Sequence, residues 1–418
     1  MEKPKLFETQ KHFILTMAVL FMLFLLHLAW QYRSYREFAS QPFYFTHATV
    51  LSAYTKHRNQ RRYQVLKLQS DEGYTFYTTT HQKRDLSGHR LRVQLFPQNS
   101  ISFWDYLGAF YVKSRIKEVQ PQPQGPKEKL MDAVSDQHTD PVLQRFYNAI
   151  FFAAPLSRSD HETISRLGVS HLVALSGFHL GILWGLIYGV LLLLYRPVQQ
   201  KLFPYRYALI DVGTLSILFL GLYVWFVGMP PSLLRAYAMV IAGWVMLIMA
   251  VELVSFDSLA VVMAVLPVLF PSLFVSVGYW FSVAGVFYIF LLLHYTKGWN
   301  RWVVMFAVIP PGIFVLMLPV VHMIFPVTSV CQLLSPLLSL LFTPFYPTSM
   351  LLHLIGQGDL MDGGLHYLLS LPCHTKEVLL PWWAGVGYLL LSVAATGHRR
   401  VFILLLGVAT AFGVWLYI

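Results

Sequence analysis

The chain has 418 residues, of which 56% are hydrophobic and only 12% are charged. A soluble domain has about 25% charged residues, so this composition excludes a wholly soluble protein and is typical of one with lipid-facing helices. The formal net charge is +11. Because Lys and Arg collect in the cytoplasmic loops of membrane proteins, their positions matter more than their sum.

The first predicted element is a membrane anchor. Residues 12–30 contain no charged side chain and are long enough to span a bilayer, and no Ala-x-Ala-like cleavage site follows them. Lys3, Lys5 and Lys11 precede them and favour a cytoplasmic N-terminus. We interpret residues 1–35 as a cytoplasmic tail with an uncleaved anchor.

A polar region with alternating residues follows, and it predicts a small β domain. Four short strands separated by Asp-Glu-Gly and Leu-Ser-Gly turns suit a small barrel, which we place at 36–120 as a soluble, OB-like domain. Residues 121–160 begin with a Pro- and Gln-rich run and are predicted to be a linker with amphipathic helices. The alternating stretches are 44–54, 61–68, 74–80 and 90–96.

The remaining residues, 161–418, are predicted to form the transmembrane domain. With the anchor they supply roughly ten hydrophobic segments. The fold class is therefore a polytopic α-helical membrane protein with a small N-terminal all-β (OB-like) soluble domain. The predicted segments are 171–195, 207–227, 233–251, 257–270, 273–295, 302–325, 327–343, 379–396 and 401–418.

Basic residues in three loops suggest an orientation. All three loops can be cytoplasmic if the β domain is outside and residues 327–343 dip into the membrane and return. Pro326 and Pro336 favour a broken helix there. The loops carry Arg196, Lys201 and Arg206; Lys297 and Arg301; and Arg399 and Arg400.

The sequence indicates no cofactor and no metal site. Cys331 and Cys373 could pair, although nothing in the sequence shows that they do, and no Cys/His metal spacing is present. No P-loop occurs, and the His-Glu pair at 161–162 is not followed by the second His of a zinc protease.

Residues 170–181 form the most unusual segment, Ser-His-Leu-Val-Ala-Leu-Ser-Gly-Phe-His-Leu-Gly. It begins a glycine ridge with a spacing of four, which permits close approach of another backbone. Ser176 and His179 lie on another side, and polar groups in a membrane face the bundle interior or a wet cavity. We interpret the segment as a bend lining a pathway, with His171 nearer the interface. The ridge is Gly177, Gly181, Gly185 and Gly189.

Two later segments have both a structural and a functional interpretation. Arg235 lies about one turn after a Pro-Pro pair, where it could snorkel to the interface or bind a phosphate-bearing substrate. The run from Gly278 through Trp280 to Ser282 could pack normally or line a pore with aromatic rings.

An intramembrane serine protease is one alternative. Ala174-Leu-Ser-Gly177 is one glycine short of the Gly-x-Ser-Gly of rhomboid-type enzymes, with Ser176 as the nucleophile. His353 could supply a partner, but it lies in a weakly apolar region without a predicted span.

The β domain is basic and rich in aromatic residues. Small barrels bind single-stranded nucleic acid with cations that contact the phosphates and aromatic rings that stack on the bases. A surface that faces solvent or lipid headgroups would explain the same composition. The aromatic residues are Tyr54, Tyr63, Tyr74, Phe76 and Tyr77. The candidate DNA-binding residues are Lys56, Arg58, Arg61, Arg62, Tyr63, Lys83, Arg84, Arg90 and Arg92.

Four segments in the same order resemble the ComEC competence proteins, which are inner-membrane DNA-uptake channels. Residues 171–181 resemble that family's His-Leu-Leu-Ala-Ile-Ser-Gly-Leu-His-Val-Gly signature, and 232–236 match its Ser-x-x-Arg-Ala. Residues 257–286 and 326–336 resemble two further blocks. Trp280 stands where the family usually has Gln, and Gln332 where Asn is common, which leaves a polar role at both positions open.

The resemblance implies a multi-pass protein of the bacterial inner (cytoplasmic) membrane with a periplasmic OB-like domain and a pore for one DNA strand. The expected pathway residues are His171, Ser176, Gly177, His179, Gly181, Arg235, Gly278, Trp280 and Ser282. Many members carry a metallo-β-lactamase-like domain, whose His-x-His-x-Asp-His is absent here. We therefore expect no enzyme activity, and separate DNA-receptor, nuclease and motor proteins. A small-anion or lipid transporter is the other alternative.

Overall fold

A computed structural model describes residues 6–58, 61–81, 86, 88–97, 101–120, 125–250 and 255–418. The chain divides into two compact units. One comprises residues 7–128 with 260–277, and the other comprises mainly 129–259 with 278–418.

The first unit contains a six-stranded sheet in the order β5-β3-β2-β1-β4-β6, antiparallel except between β3 and β5. Only Val112 separates β5 from β6, so the two sheet edges belong to one chain segment and the sheet closes into a five-stranded barrel. The four predicted strands are all present as β1 to β4, but the sequence analysis missed the fifth segment, which forms β5 and β6. The strands are β1 Tyr44–Arg58, β2 Arg61–Ser70, β3 Thr75–Thr80, β4 Arg90–Phe96, β5 Ala109–Tyr111 and β6 Lys113–Gln120.

Helix α1, Gln10–Ala39, ends inside the barrel unit. Phe38 near its end is 5% exposed, and the Tyr35 hydroxyl donates a 2.7 Å hydrogen bond to the Ile101 carbonyl. The anchor is thereby fixed to the barrel core. The rings around Phe38 belong to Tyr44, Tyr74, Tyr106 and Phe110.

The remaining elements are mostly helices. A short π-helical stretch, Val304–Val308, joins α12 to α13, and a small antiparallel pair is formed by β7 Val327–Ser329 and β8 Thr375–Glu377. The helices are α2 Phe103–Leu107, α3 Pro126–Ser135, α4 Pro141–Phe152, α5 Arg158–Arg166, α6 Ser170–Val173, α7 Gly177–Leu202, α8 Ala208–Phe226, α9 Pro231–Ile248, α10 Phe256–Leu269, α11 Val277–Tyr295, α12 Arg301–Val303, α13 Ile309–His322, α14 Ser335–Leu354, α15 Asp362–Leu369, α16 Trp382–Ala394 and α17 Arg399–Tyr417.

Within the described chain, seven helical segments are long and apolar enough to cross a membrane, and three more apolar helices are shorter. Each corresponds to a predicted hydrophobic segment, which confirms a polytopic helical membrane protein. The seven are Gln10–Ala39, Gly177–Leu202, Ala208–Phe226, Val277–Tyr295, Arg301–His322, Val330–Leu354 and Arg399–Tyr417. The shorter ones are Ser232–Ile248, Phe256–Leu269 and Trp382–Ala394.

The region around α14 departs most from the sequence prediction. The helix runs to Leu354, well beyond the predicted end at 343, so His353, for which no span was predicted, lies in its last turn. Cys331 and Cys373 form a disulfide across a separation of 42 residues, a pairing that the sequence alone did not indicate. The disulfide ties the turn before α14 to the segment before β8.

Candidate functional site

The predicted bend before α7 is present and has a local cause. Helix α6 ends at Val173, and Ala174 and Ser176 adopt extended conformations. The Ser176 hydroxyl accepts from the Phe178 amide at 3.3 Å, and His179 Nδ1 accepts from the Ser176 amide at 3.4 Å. This reciprocal pattern is a capping box with His in the place of the usual Glu or Gln. The Ser-Gly-x-His motif thus restarts the helix.

His179 also connects α7 to α14. Its side chain has no exposed surface, and its ring makes edge contacts with Phe342, at 5.1 Å between centroids, and Tyr346, at 4.9 Å. The bend is therefore packed against the middle of α14.

The start of α14 contacts the residues that precede the bend. Ser335 Oγ donates to the Gly168 carbonyl at 2.9 Å, and His171 Nε2 lies 3.2 Å from Ser339 Oγ. Gly168 has a φ of +68°, and a Cβ there would lie 3.2 Å from the Gln332 side chain. This close approach requires glycine.

Gln332 has a polar role although it replaces the Asn common in the resembling family. Its Nε2 donates to the Ser165 and Val327 carbonyls, both at 3.1 Å. Its Oε1 accepts from the Tyr417 hydroxyl at 3.2 Å. One amide thus ties together α5, β7 and the end of α17.

Helix α9 packs on the first residue of α7. A Cβ on Gly177 would lie 3.5 Å from the Ala236 Cβ, and Arg235 precedes Ala236. Arg235 Nε is buried without a hydrogen-bond partner among the described residues. A buried polar group without a partner is costly, so this nitrogen is suited to receive an acceptor.

Tyr279 is the residue that sequence reasoning passed over. It has no exposed surface, and its hydroxyl interacts electrostatically with Arg235. Of its predicted neighbours, Trp280 is 41% exposed, Gly278 is exposed and Ser282 is half-buried. The available signal was a hydroxyl-bearing side chain between Gly278 and Trp280, two residues that were expected in the pathway.

The glycine ridge of α7 brings no other backbone close in the described structure. A Cβ on Gly181, Gly185 or Gly189 would meet nothing within 4 Å. The close approach that the spacing permits is therefore not made by any described residue at these three positions. Close approaches occur on α8 instead, where Gly213 faces Trp244 and Gly221 faces Tyr237.

A family model for a "Competence protein" matches residues 153–416. The chain belongs to the competence protein family. The match covers the bend, α9, α11 and α14, while the barrel lies outside it. No curated protein and no solved structure matches this competence protein.

The barrel of this competence protein carries lysines and tyrosines on one outer face of β1–β3. Lys56 lies 5.7 Å from the Tyr54 ring centroid, and Lys67 lies 5.9 Å from that of Tyr77. Lys56 pairs with Tyr63 across β1 and β2. Of the expected aromatic residues, however, Phe76 is in the barrel core and the Tyr74 hydroxyl is buried. These two rings are not placed to stack on bases.

The other basic residues expected to bind DNA differ in their exposure and in their contacts. Arg90 is paired with Asp71, while Arg92 is exposed. The backbone of Arg58, Arg61 and Arg62 belongs to β1 and β2, but their side chains lie outside what the structure describes, as do Lys83 and Arg84 altogether. Strand β6 adds three exposed cations that the sequence analysis missed, Lys113, Arg115 and Lys117.

The described residues include no group of three or more His, Cys, Asp or Glu side chains that could hold a metal ion. The partner suggested for Ser176 is also engaged elsewhere. His353 Nε2 lies 2.8 Å from His138, and its Nδ1 lies 2.6 Å from the Ser349 carbonyl.

Proposed function

We propose that this competence protein is an inner-membrane channel that passes single-stranded DNA into the cytoplasm during natural transformation and has no enzyme activity of its own. The observation that carries the proposal is Arg235, which lies near Tyr279 and whose buried Nε has no hydrogen-bond partner in the part of the chain that the structure describes. Each nucleotide carries one phosphate, and a guanidinium fork matches phosphate oxygens. The family match to competence proteins supports DNA as the anion.

The ends of the bundle support an orientation. Helix α17 begins with Arg399 and Arg400 and ends where Tyr417 contacts Gln332, next to the disulfide. Disulfides persist in oxidising compartments, while Lys and Arg favour the cytoplasmic side. Both rules therefore assign the disulfide end to the periplasm and the basic end to the cytoplasm.

The bend belongs to the same periplasmic end. Gly168 and Gln332 are in contact, so the segment before α7 lies beside the disulfide. Successive turns of α14 contact first Gly168, then His171 and then His179. This supports the expectation that the segment beginning near 327 enters the membrane and returns to the periplasmic side. Helix α14 would then run along the periplasmic end of the bundle.

In this proposal the barrel is a periplasmic receiver for DNA. Its strand order, with a parallel β3–β5 pair closing a five-stranded barrel, is compatible with an OB-like domain. Lysines beside tyrosines on its outer face suit a sequence-independent single strand, because cations contact phosphates and rings stack on bases.

The test compares Arg235→Ala with Arg301→Ala, an exposed arginine that stacks on Trp302. Transformation frequency and the location of labelled DNA are measured in strains with equal protein levels. We expect Arg235→Ala to lower transformation at least tenfold and to leave DNA in the periplasm, while Arg301→Ala behaves as wild type. Normal import in Arg235→Ala overturns the assigned contact.

A strain without the gene distinguishes the channel from the other candidates. We expect it to accumulate DNA in the periplasm and none in the cytoplasm. Undiminished import would favour a small-anion or lipid transporter, and labelling of Ser176 by a serine-reactive probe would favour the protease.

A further inference from the structure

A chain of three titratable side chains lies away from the proposed DNA pathway. His138, in the loop between α3 and α4, has its Nδ1 2.9 Å from Asp362 Oδ2 at the start of α15. Its Nε2 lies 2.8 Å from His353 Nε2 on α14. His353 Nδ1 in turn lies 2.6 Å from the Ser349 carbonyl oxygen. The His138 side chain has no exposed surface, and that of Asp362 is 19% exposed.

The number of protons in this chain follows from its geometry. The Ser349 carbonyl can only accept, so His353 Nδ1 must carry a proton. One proton must lie between the two Nε2 atoms, and one between His138 and Asp362. Three hydrogen bonds therefore need three protons, but two neutral imidazoles supply only two. The third is an additional proton, held as an imidazolium–carboxylate pair or on the carboxyl itself.

Neither a smaller nor a larger number of protons fits. With two protons, one of the three contacts brings two lone pairs face to face at hydrogen-bonding distance. With four protons, either two N–H groups point at each other across the 2.8 Å gap between His138 and His353, or Asp362 is neutral beside an imidazolium, which leaves a buried positive charge without a counter-charge. Because the site is buried, water cannot readily replace the lost bond, and an unsatisfied group is costly there.

The surroundings hold the two rings in place. Tyr147 of α4 stacks on His138 with a centroid distance of 4.4 Å and an interplanar angle of 8°. Gln137 Nε2 donates to the His353 carbonyl at 3.1 Å, and its Oε1 accepts from the Gly358 amide at 2.9 Å.

Other titratable groups lie on the packed elements. Tyr147 contacts both rings, whereas His366 of α15 is bonded to Asp140 at 3.0 Å, in a pair whose histidine is 67% exposed. Asp359 on the turn before α15 is exposed. The charge balance of the buried chain is therefore set mainly by Asp362 and the two histidines.

We propose that Asp362, His138 and His353 form a proton-binding site, in which one additional proton holds α14 and α15 against the loop before α4. When this proton is lost, the ionised carboxylate keeps the His138 proton on Nδ1, so the bond between the two Nε2 atoms breaks and that attachment loosens. Helix α14 also carries Phe342 and Tyr346, which contact His179. Proton occupancy can thus reach the bend at the start of α7, and its use in DNA transport rests on the proposed function.

The substitution Asp362→Asn tests directly whether the additional proton is needed. The amide can donate to His138 Nδ1, after which His138 Nε2 donates to His353 and His353 donates to Ser349. All three bonds are then made by neutral groups, and no additional proton is needed. The variant should keep the attachment and lose its sensitivity to alkaline pH.

The full chain in lipid nanodiscs is measured by hydrogen–deuterium exchange, corrected for intrinsic rates, over peptides covering 130–145 and 350–370. We expect wild-type protection to fall at least tenfold as the pH is raised, and Asp362→Asn to stay protected. His366→Asn, which alters the exposed pair, should follow wild type. The same pH dependence in wild type and Asp362→Asn overturns the proposal.

A second measurement needs no variant. Solid-state NMR of ¹⁵N-histidine-labelled wild-type protein should show a nitrogen–nitrogen coupling across the His138–His353 bond at neutral pH, which disappears as the pH is raised. Its absence at neutral pH overturns the proton site. Because neither measurement involves DNA, their failure is distinguishable from failure of the proposed channel, which the gene deletion tests.

Discussion

Gly177, the first residue of α7, faces Ala236 of α9 so closely that a Cβ on the glycine would lie 3.5 Å from the alanine methyl. This is ordinary van der Waals contact, so there is room for one methyl group. Because Arg235 precedes Ala236, the contact places the capped start of α7 against the turn of α9 that carries Arg235.

Enlarging Gly177 should separate these two helices. We expect Gly177→Ala to behave as wild type, because its methyl group fits the available distance. Gly177→Leu should lower transformation at least tenfold at equal protein level, because overpacking a contact displaces its partners. Transformation frequency with immunoblotting measures both.

Gly185→Leu is the matched control for this prediction. A Cβ at Gly185 meets nothing within 4 Å, although it lies two turns along the same helix. If Gly185→Leu impairs transformation as much as Gly177→Leu, the contact with Ala236 is not the cause.

The Arg145–Asp160 ion pair should make stability depend on acid pH. Burial alone would raise the pKa of the Asp160 carboxyl, but hydrogen bonds from Arg145 and Ser157 outweigh it and hold the pKa below its ordinary value. A lowered native pKa contributes stability above the unfolded value of about 3.9, and this contribution is lost as pH falls through the native pKa. Asp160→Asn should therefore destabilise the protein at pH 7 and have little effect in acid.

Thermal unfolding in detergent at several pH values measures this difference. Glu162→Gln is the control, because its partner Arg158 is 76% exposed and Glu162 itself is 53% exposed, and exposed pairs contribute about 0–1 kcal/mol. An equal loss from the two substitutions at pH 7 would contradict the prediction.

Hydropathy predicted the membrane helices well because apolar length is a property of each segment by itself. It failed where an element depends on a distant partner. Strand β6 is a mostly polar run that becomes a strand by pairing with β4. The glycine spacing on α7 showed that close approach was allowed, but not that a partner was there. Likewise, nothing local indicated that Cys331 would meet Cys373.

In the candidate site, too, local features were predicted and features that depend on distant residues were not. The Ser-Gly-x-His bend was predicted because capping is local. The importance of Tyr279 and of the Gln332 bonds depends on residues far away in the chain, so these features needed the fold.

The lysines of the barrel face provide a prediction about DNA. Lys56→Glu with Lys67→Glu should weaken binding of single-stranded DNA by the full chain at least tenfold and reduce its salt dependence, because fewer counterions are released. Fluorescence anisotropy with a labelled oligonucleotide at two salt concentrations measures both effects. Lys11→Glu, near the start of the anchor, is the control, and an equal loss from it would indicate a non-specific effect of charge.

The disulfide should stabilise the region around α14, which it closes into a loop across 42 positions. Crosslinks of this kind contribute about 2–4 kcal/mol by restricting the unfolded chain. We expect Cys331→Ser with Cys373→Ser to lower the melting temperature and to speed proteolysis between residues 355 and 375. Reductant should produce the same change in wild type and none in the double variant.

The same pair of cysteines tests the orientation. In cells, a membrane-impermeant maleimide should label neither cysteine before reduction and should label both afterwards from the periplasmic side. Labelling without reduction would show that the disulfide is not formed. Labelling only from the cytoplasmic side would invert the orientation, because the disulfide, Gln332, Gly168 and the end of α17 lie at one end of the bundle. The bend and Arg235 would then be at the exit of the proposed pathway and not at its entrance.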